Sequence, residues 1–333
     1  MGVQLYFSLE HYDRYHRTDW EERLAGWLSG AGGAVQRASH ADEADFIIEP
    51  AQAQSFLDGR VFSIAPESFY HSRPESTFAW DQGDHPTGRL PGLFCSLHRR
   101  LADPARHRGF CYPLRMNRLV RECPQADARF LFGFSGNITS PLRARLFTCL
   151  QDAARSGQAL LRQTESLFLR IYSAESDAER ARYVDDLRQC RFILCPRGNG
   201  LSSIRLFETL EAGRVPVIIS DALLLPQCVD WSSCAVIIRE DNLAQVPALL
   251  AARDADWPRL AGNARAEWQR CFGDRTMLPT LVAQLRGILA ARRRPEGRQR
   301  HFFPFRALPH YAMVRGKALA RHLQSMRRRG LMP

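Results

Sequence analysis

The residues with the clearest chemical potential lie in one short loop. Arg197, Gly198 and Gly200 follow an apolar run that predicts a buried strand, and Ser202 and Ser203 stand at the predicted start of a helix. Glycines permit tight turns and close approach of the backbone to a ligand. A helix N-terminus offers free N–H groups and a positive dipole end to an anion, and an arginine can bind phosphate oxygens in bidentate fashion. The loop therefore predicts a diphosphate site.

Charged residues on two predicted helices add to this pattern. Arg205 and Glu208 are three positions apart, so they share one helix face, and the glutamate could accept hydrogen bonds from ribose hydroxyls. The alternative is a surface ion pair, which contributes only about 0–1 kcal/mol. Because the arginine–glycine loop stands directly upstream, we favour ligand binding. An earlier predicted helix carries Arg143 and Arg145. These arginines could add positive charge to the same site, and the alternative is that they lie on a solvated helix face.

Alternating strand and helix patterns in the second half of the chain must position these residues. Strands are predicted at residues 129–134, 191–195, 215–219 and 235–238. Helices are predicted at residues 141–154, 178–189, 202–212, 243–252, 257–271 and 277–292. This alternation is typical of a parallel sheet with right-handed crossovers, in which ligands bind at the carboxyl ends of the strands.

The first half of the chain is less regular. Strands are predicted at residues 3–9, 45–48 and 61–65, and a helix at residues 20–29. Residues 66–113 are rich in histidine, proline, glycine and aromatic side chains and lack the periodicity of a helix or a strand. We predict an irregular segment there, and long irregular segments inside compact domains are usually functional.

A wider set of residues has the spacing of a known family. It comprises Cys195-Pro196-Arg197-Gly198, Ser203, Arg205, Glu208, Ala212-Gly213, Pro216-Val217, Ser220-Asp221, Leu225-Pro226 and Asp230-Trp231. This set resembles the carboxyl-terminal signature of exostosin-type glycosyltransferases, glycosyltransferase family 47. Two upstream segments also resemble the family: Phe132 to Gly136 is similar to its glycine turn, and Trp80 to Pro86, with Pro91-Gly92, is similar to its acidic loop.

The resemblance implies a GT-B fold, in which two Rossmann-like α/β domains face each other across a cleft. On this basis we divide the chain into an acceptor-side domain over residues 1–126, a nucleotide-sugar-binding domain over residues 127–290 and a basic tail over residues 291–333. The implied reaction is hexosyl or pentosyl transfer that inverts the anomeric centre and needs no metal or other cofactor.

The resemblance also implies a donor site. The donor would be a nucleotide-diphosphate sugar, held by the loop after Arg197, by Arg205 and Glu208, and by the turn at Ser135 and Gly136. Arg197 would stabilise the charge on the leaving diphosphate. The acceptor would be a glycan or a lipid-linked glycan used in cell-surface polysaccharide synthesis.

The acceptor hydroxyl must lose a proton, and the first domain must supply the base. The candidates are Asp84, Asp81, His85 and Glu67. We place Asp84 first and Asp81 second, because both stand in an irregular loop rich in glycine and proline, where function is often located. Aspartate also favours turns, so that either residue could instead be a turn former.

The net charge of +11 is concentrated at the carboxyl terminus. Residues 286–329 hold 13 basic side chains and one acid, Glu296, so the rest of the chain is nearly neutral. A basic tail interspersed with aromatic residues favours an anionic membrane surface. The alternatives are a tail that is only solvated, or nucleic-acid binding, for which we find no recognition motif. We expect residues up to about Leu289 to pack back across the first domain.

The sequence also bears on the compartment. The first residues do not form a signal peptide, and no run approaches the roughly 20 apolar residues of a membrane span. The nine cysteines lack Cys-x-x-Cys spacing, and several lie in apolar strand-like runs, which is typical of buried free thiols in a reducing compartment. We expect a cytoplasmic enzyme of bacterial type, peripheral on the inner face of the membrane.

Other function classes fit less well. A nucleotide-sugar or polyanion-binding protein without catalysis would keep the arginines and the glutamate but lack a working base. A fucosyltransferase-like GT-B enzyme usually has Thr-Glu-Lys where this chain has Ser203-Ile204-Arg205. A dinucleotide-dependent oxidoreductase requires a glycine-rich turn after the first strand, and residues 9–14 contain no glycine.

Overall fold

Two parallel β-sheets with helices on their faces form the body of the chain. The computed structural model describes residues 2–10, 14–51, 64, 67–86, 88–113, 117–164 and 174–296. The strand pairs within each sheet are parallel throughout these ranges. This confirms the prediction of an α/β fold with two Rossmann-like sheets. Within the same ranges, no helix is both long and apolar enough to cross a membrane.

The first sheet is built from the amino-terminal third of the chain. Its elements are β1 (Val3–Phe7), α1 (Arg14–Gly30), β2 (Val35–Arg37), β3 (Phe46–Ala51), β4 (Thr77–Asp81), β5 (Gly92–Phe94) and β6 (His107–Gly109). The six strands lie in the order β2-β1-β3-β4-β5-β6. The predicted positions of β1, α1 and β3 are confirmed, whereas four of the five residues of the predicted strand at 61–65 lie outside the described residues.

The prediction of an irregular segment at residues 66–113 is wrong, because β4, β5 and β6 all fall within it. These strands are only five, three and three residues long. Every residue of β4 and β5 is buried, so neither strand shows the alternation of a half-exposed strand, and both are too short to form a clear apolar run. The loops after β4 and β5 are the irregular part, and they carry Asp84 and Ser96.

The second sheet follows the alternation read from the sequence. Its elements are β7 (Phe130–Gly136), α2 (Pro141–Cys149), α3 (Gln151–Arg155), β8 (Ala159–Gln163), α4 (Ala174–Arg188), β9 (Cys190–Pro196), α5 (Ile204–Glu211), β10 (Val215–Ile219), α6 (Trp231–Cys234), β11 (Val236–Ile237), α7 (Val246–Ala251), α8 (Trp257–Cys271) and α9 (Met277–Ala291). The five strands lie in the order β11-β10-β9-β7-β8. The edge strand β8 was not predicted.

Helix α5 begins and ends at residues that explain its length. Ser203 is its N-cap, with extended backbone at φ −141°. Gly213 follows the C-cap at φ +66°, a left-handed conformation that favours glycine. Leu206, Phe207 and Leu210 are buried, and the helix packs against β9, β10 and α8. This packing directs the first turn of α5 towards the carboxyl edge of the second sheet.

The two sheets share one apolar core. Aromatic contacts lead from Trp80 on β4 through Phe110 and Phe272 to Phe207 on α5, with successive ring centroids 5.3 Å, 5.5 Å and 5.7 Å apart. All four side chains are buried, and burial of one such side chain contributes about 1.5–3 kcal/mol. Because this core is continuous, it fixes the orientation of the two sheets and of the loops at their facing edges.

The last helix returns to the first sheet. Helix α9 packs on β5, β6 and α1, and the chain then continues along the same sheet to Glu296. The carboxylate of Glu296 is fully buried, lies 2.7 Å from Nη2 of Arg106 and accepts a hydrogen bond from the Tyr70 hydroxyl at 2.8 Å. The first residues of the basic tail are therefore anchored on the first sheet. The rest of the predicted tail, residues 297–333, lies outside the described residues.

Candidate active site

The second sheet has its topological switch point between β7 and β9. Strand β8 lies on one side of β7, and the later strands continue on the other side from β9. In doubly wound sheets, ligands bind at the carboxyl ends of the strands at such a point. Strand β7 ends at Gly136 and β9 ends at Pro196, so the loops that lead into α2 and α5 form the walls of this crevice.

Arg205 lies buried at the switch point. Its guanidinium carbon is 4.4 Å from the ring centroid of Phe134 and 5.7 Å from that of Tyr183, and its Nη2 donates to the carbonyl oxygen of Ser135. A Cβ atom at Gly136 would lie 2.5 Å from Nη2, so a larger residue there would require this guanidinium to move. Its Nε and Nη1 have no hydrogen-bond partner among the described residues.

A second buried arginine, Arg143 on α2, shares the same aromatic ring. Its guanidinium carbon is 5.6 Å from the Phe134 centroid, and it donates to the carbonyl oxygens of Asn137 at 3.1 Å and Pro196 at 3.3 Å. Burial, followed by the positive charge of Arg205, lowers the pKa of Arg143 to about 10. Within the described chain, neither arginine has a carboxylate oxygen at salt-bridge distance. The pair is a concentrated, buried positive charge at the carboxyl ends of β7 and β9, which suits a diphosphate.

Further polar atoms surround the two arginines. The hydroxyl of Thr139 is 3.1 Å from where a Cβ atom of Gly198 would lie, and Nη2 of Arg143 is 3.2 Å from the same point. The hydroxyls of Thr139, Thr164 and Ser220 are buried and have no partner among the described residues. These three residues follow β7, β8 and β10, so their hydroxyl groups all lie at the carboxyl edge of the second sheet. Buried polar groups normally have partners, and this concentration indicates a site for a polar ligand.

Arg197, the predicted phosphate ligand, is placed differently from the buried pair. It lies at the expected position after β9, but its Nε is 2.8 Å from Oε1 of Glu240, and its side chain is 22% exposed. Arg145 is exposed and donates to the backbone carbonyl of Glu240. The sequence singled out Arg197 because of its neighbouring glycines, whereas the buried, unpaired guanidiniums belong to other residues. The ion pair with Glu240, 43 residues away, could not be read from spacing.

The loop between β9 and α5 contacts the first domain. The backbone N–H groups of Leu201 and Ser202 donate to Oγ of Ser96, at 2.7 Å and 3.2 Å. A Cβ atom at Gly200 would lie 2.6 Å from both the Asp84 carbonyl oxygen and the Ser96 hydroxyl. The prediction that the N–H groups at Ser202 and Ser203 stand free for a phosphate is therefore wrong for Ser202. The sequence did not indicate Ser96, and no motif signals it.

The remaining predicted donor residues have identified neighbours. The Ser135 hydroxyl donates to Oδ2 of Asp186 at 2.6 Å, so this serine holds Arg205 through its carbonyl oxygen and directs its hydroxyl towards α4. Asp186, for which the sequence shows no signal of a site, also binds Arg162 through two hydrogen bonds, at 2.7 Å and 2.8 Å. Ser203 is buried at the start of α5, and its hydroxyl makes no capping bond within the described chain.

Glu208 lies one turn along α5, on the same side as Arg205, as predicted. Its Oε2 accepts a hydrogen bond from the Tyr183 hydroxyl at 2.7 Å. Burial raises the pKa of the Glu208 carboxyl, and the Tyr183 hydrogen bond and the Arg205 charge oppose that rise. Tyr183 therefore contacts both Arg205 and Glu208 and holds them at the edge of the crevice.

The candidate bases differ in their surroundings. Asp84 is exposed in the loop after β4. Burial lowers the pKa of Arg143 and the Asp84 charge opposes that shift, so this carboxylate lies within electrostatic reach of Arg143. Asp81 is buried at the end of β4, where burial raises its pKa to about 7 and its Oδ1 accepts a hydrogen bond from the N–H of Gly83 at 2.8 Å. His85 shares the loop of Asp84, whereas no described contact joins Glu67 to the crevice.

Metal-binding side chains do not converge in the described part of the chain. There, no group of three or more histidine, cysteine, aspartate or glutamate side chains could hold a metal ion. Independence of metal stays a prediction. All nine cysteines fall within the described ranges, are free thiols, and with the exceptions of Cys149 and Cys228 are buried, as the sequence predicted.

Comparison with known proteins agrees with the sequence resemblance. Residues 107–252 match the Exostosin GT47 domain. The chain is 42% identical over 74 residues to the Exostosin-1 homolog of Caenorhabditis elegans, which covers 22% of this chain and 19% of the relative. It is 36% identical over 98 residues to Exostosin-1 of Drosophila melanogaster, which covers 28% of this chain and 13% of that relative. It is also 36% identical over 72 residues to a probable glucuronosyltransferase of Oryza sativa subsp. japonica, which covers 21% of this chain and 17% of that relative. The chain thus matches less than a fifth of the length of each relative, and the resemblance to exostosin-type proteins is confirmed.

Solved structures of glycosyltransferases are similar in coarse outline. A glycosyltransferase from Rickettsia africae has a TM-score of 0.44 at 8% identity, with 86% of this chain and 99% of that chain covered. HepE from Anabaena in complex with UDP has a TM-score of 0.39 at 11% identity, with 88% and 100% covered. Both TM-scores lie below 0.5, so neither structure bears on the ligands of this chain.

Proposed function

We propose that this chain, which carries an exostosin GT47 domain, is a glycosyltransferase that uses a nucleotide-diphosphate sugar. The observation that carries this proposal is the buried pair Arg143 and Arg205, which share the ring of Phe134 at the switch point and have no carboxylate at salt-bridge distance among the described residues. Burying unpaired cations is costly, so such a pair is expected where an anionic ligand supplies the missing charge.

The arginine pair has a direct role in the proposed chemistry. During transfer the bond between the anomeric carbon and the diphosphate oxygen breaks, and its electron pair stays on the diphosphate. Guanidinium groups already fixed in a dry crevice stabilise that developing charge without reorganisation. Phe134 and the carbonyl oxygens of Asn137 and Pro196 hold Arg143 in place for this task. Arg197, Gly198 and Glu208 line the same crevice and contribute to binding the nucleotide sugar.

The acceptor enters from the first domain in this proposal. An acceptor hydroxyl oxygen attacks the anomeric carbon from the face opposite the diphosphate, and its proton passes to a carboxylate. Asp84 is our first candidate for that base because of its electrostatic proximity to Arg143. Asp81 is the second, since a carboxyl with a pKa of about 7 suits proton transfer near neutral pH. Inversion at the anomeric carbon and independence of metal belong to the same proposal.

The biological setting is proposed from the tail and from the relatives. A glycan or lipid-linked glycan acceptor, used in cell-surface polysaccharide synthesis, would be reached most readily by an enzyme held at an anionic membrane surface on its cytoplasmic side. The basic residues that follow Glu296 supply such an attraction. Because one relative is named a probable glucuronosyltransferase, nucleotide-activated glucuronate is a donor to include among the first tested.

A nucleotide panel followed by a turnover assay tests this function. We expect one of UDP, GDP, CMP and ADP to raise the melting temperature selectively, because a ligand that binds the folded state stabilises it. Sugars carried by that nucleotide are then assayed for transfer or hydrolysis, with and without a chelator. Selective binding without any turnover would indicate a nucleotide-sugar-binding protein that has no catalysis. Activity lost on chelation and restored by magnesium or manganese would contradict metal independence.

A further inference from the structure

A buried serine of the first domain links the two sides of the crevice. Ser96 is 1% exposed, and its hydroxyl uses its full hydrogen-bonding capacity. The hydroxyl accepts from the backbone N–H groups of Leu201 and Ser202 and donates to the backbone carbonyl of Asp84 at 3.1 Å. One side chain thus joins the loop after β4 that carries the candidate base Asp84 (the base loop) to the loop between β9 and α5 (the donor loop).

The close approach of these loops explains a glycine in the donor loop. At Gly200, a Cβ atom would lie 2.6 Å from both the Asp84 carbonyl oxygen and Oγ of Ser96, and 2.8 Å from Cα of Asp84. The backbone of the donor loop therefore rests directly on the base loop. By contrast, Gly198, two residues earlier, faces Thr139 and Arg143 in the donor crevice. The two glycines serve different contacts.

We propose that Ser96 is a positioning residue that sets the Asp84 carboxylate against the donor held by Arg143 and Arg205. This inference rests on the proposed function and names a residue that lies outside the family match at residues 107–252. Ser96 acts through the backbone of Asp84 and does not itself touch the reacting atoms. Its three hydrogen bonds fix the separation between the acceptor side and the donor side.

The expected effect is on turnover rather than on donor binding. The arginine pair is held by Phe134, Ser135, Asn137 and Pro196, and none of these contacts passes through Ser96. Removing the Ser96 hydroxyl should leave the nucleotide site intact, but the position of Asp84 relative to the donor should no longer be fixed. A misplacement of about 1 Å at a reacting centre can cost on the order of 100-fold in rate.

The test compares two serine-to-alanine variants. Ser96→Ala should lower kcat by about 10- to 100-fold while KM for the donor and Kd for the nucleotide selected in the panel stay at parental values. Without ligand, the same variant should speed hydrogen exchange at the Leu201 and Ser202 amides. Ser68→Ala is the matched control, because the Ser68 hydroxyl is also buried and bonded, to Glu49, but away from the crevice. Its kcat and its exchange at residues 201–202 should match the parent.

A second variant approaches the same contact from the donor loop. Gly200→Ala should push the loops apart and reproduce the fall in kcat at unchanged nucleotide affinity. If Gly200 instead serves the diphosphate, Gly200→Ala will weaken nucleotide binding, and that outcome contradicts our assignment of this glycine to the loop contact.

The outcomes separate this inference from the proposed function. A parent enzyme that turns over no nucleotide sugar overturns the proposed function, and the positioning role of Ser96 falls with it. An active parent together with a Ser96→Ala variant of parental kcat overturns the role of Ser96 alone. A Ser96→Ala variant that loses donor binding and turnover equally would show a general structural role and would also overturn it.

Discussion

At the scale of single residues, the molecule holds two kinds of arginine at its candidate site. Arg197 has a carboxylate partner in Glu240 and is partly exposed, so its placement is explained by the protein itself. Arg143 and Arg205 are buried without such a partner in the described chain, and folding alone does not account for them. Proteins retain costly charges of this kind where function requires them. We therefore assign the proposed diphosphate to the buried pair.

Asp81 provides a pH-dependent prediction. Its folded pKa of about 7 exceeds the ordinary value of 3.8, because burial disfavours the charged form. The protonated Asp81 side chain makes its full contribution to the free energy of unfolding below pH 3.8. Between that pH and about pH 7 the contribution falls by about 1.4 kcal/mol per pH unit, because the unfolded chain has lost a proton that the folded chain still holds. Asp81→Asn, which keeps an oxygen for the Gly83 N–H, should gain about 2–3 kcal/mol relative to the parent between pH 5 and pH 7.

Urea denaturation of both proteins across this pH range measures the difference. Parallel dependences of unfolding free energy on pH for the parent and for Asp81→Asn would contradict the raised pKa.

The same variant also bears on catalysis. If Asp84 is the base, as we propose, Asp81→Asn should retain turnover whereas Asp84→Asn should lose most of it.

Some site residues could be predicted from sequence and others could not, for a physical reason. The position of Arg205 and Glu208 on one face of α5 follows from helical periodicity, and the structure agrees. Whether Arg143 or Arg197 is left for a ligand depends on which of them pairs with a carboxylate. Arg197 pairs with Glu240, which lies two strands later in the sequence, so the pair depends on the tertiary fold. Ser96 acquires its role from three hydrogen bonds to backbone atoms, two of them across domains, and such contacts leave no mark on local sequence.

At the scale of secondary-structure elements, the crevice depends on how β7, β8 and α4 are held together. Asp186 on α4 is 3% exposed and binds the Ser135 hydroxyl at the end of β7 and the guanidinium of Arg162 on β8. The Ser135 carbonyl in turn fixes Arg205. One carboxylate therefore sets the relative positions of three elements beneath the site.

Removing this carboxylate should be costly. Asp186→Ala leaves the Ser135 hydroxyl buried without its partner and releases Arg162, and we expect a loss of about 2–3 kcal/mol in the free energy of unfolding. The matched control is Asp185→Ala, one position earlier on the same helix, where the carboxylate is half exposed and pairs with Arg188. Its loss should not exceed about 1 kcal/mol. Equal losses in chemical denaturation would contradict the anchoring role of Asp186.

Elements differed in how well the sequence revealed them. Strands β7, β9 and β10 are five to seven residues long, apolar and followed by helices, so that length and pattern agree. Strands β5 and β6 have three residues each, and β6 reads His-Arg-Gly, which has no strand signal of its own. Their strand conformation comes from pairing in a buried sheet, β5 with β4 and β6 with β5, and that information is tertiary.

At the scale of the whole molecule, the chain after α9 fastens the carboxyl terminus to the first sheet. Glu296 lies between Arg106 and Arg292, at 2.7 Å and 3.7 Å, and all three side chains are nearly or fully buried. Arg292 also pairs with Glu75 at 3.0 Å. This cluster fixes the point from which the basic tail continues.

Breaking the cluster should destabilise the protein strongly. Glu296→Ala leaves Arg106, 2% exposed, without the carboxylate of this ion pair, and removal of one member of a buried pair costs about 3–5 kcal/mol. Glu122→Ala is the control, because Glu122 is 61% exposed in its pair with Arg265, and we expect a cost below about 1 kcal/mol. A Glu296→Ala variant as stable as Glu122→Ala in urea denaturation would show that this cluster contributes little.

The tail beyond Glu296 supplies a prediction about location. Full-length protein should co-sediment with vesicles that contain phosphatidylserine at low salt and dissociate at high salt, because attraction between exposed charges is screened. A truncated variant that ends after Glu296 keeps the buried cluster and should remain in the supernatant. Equal binding of the two proteins, or no binding by either, would contradict a membrane role for the tail.

The central claim is that Arg143 and Arg205 bind the diphosphate of a nucleotide sugar. Isothermal titration of the nucleotide diphosphate selected in the panel into the parent, Arg143→Met, Arg205→Met and Arg145→Met tests it most directly. A hydrogen bond to a charged group contributes about 1.5–3 kcal/mol, so each of the first two variants should weaken binding by about 10-fold or more. Arg145→Met, on the same helix as Arg143 but exposed and bonded to the Glu240 carbonyl, should bind like the parent. Parental affinity in Arg143→Met and Arg205→Met would contradict the account.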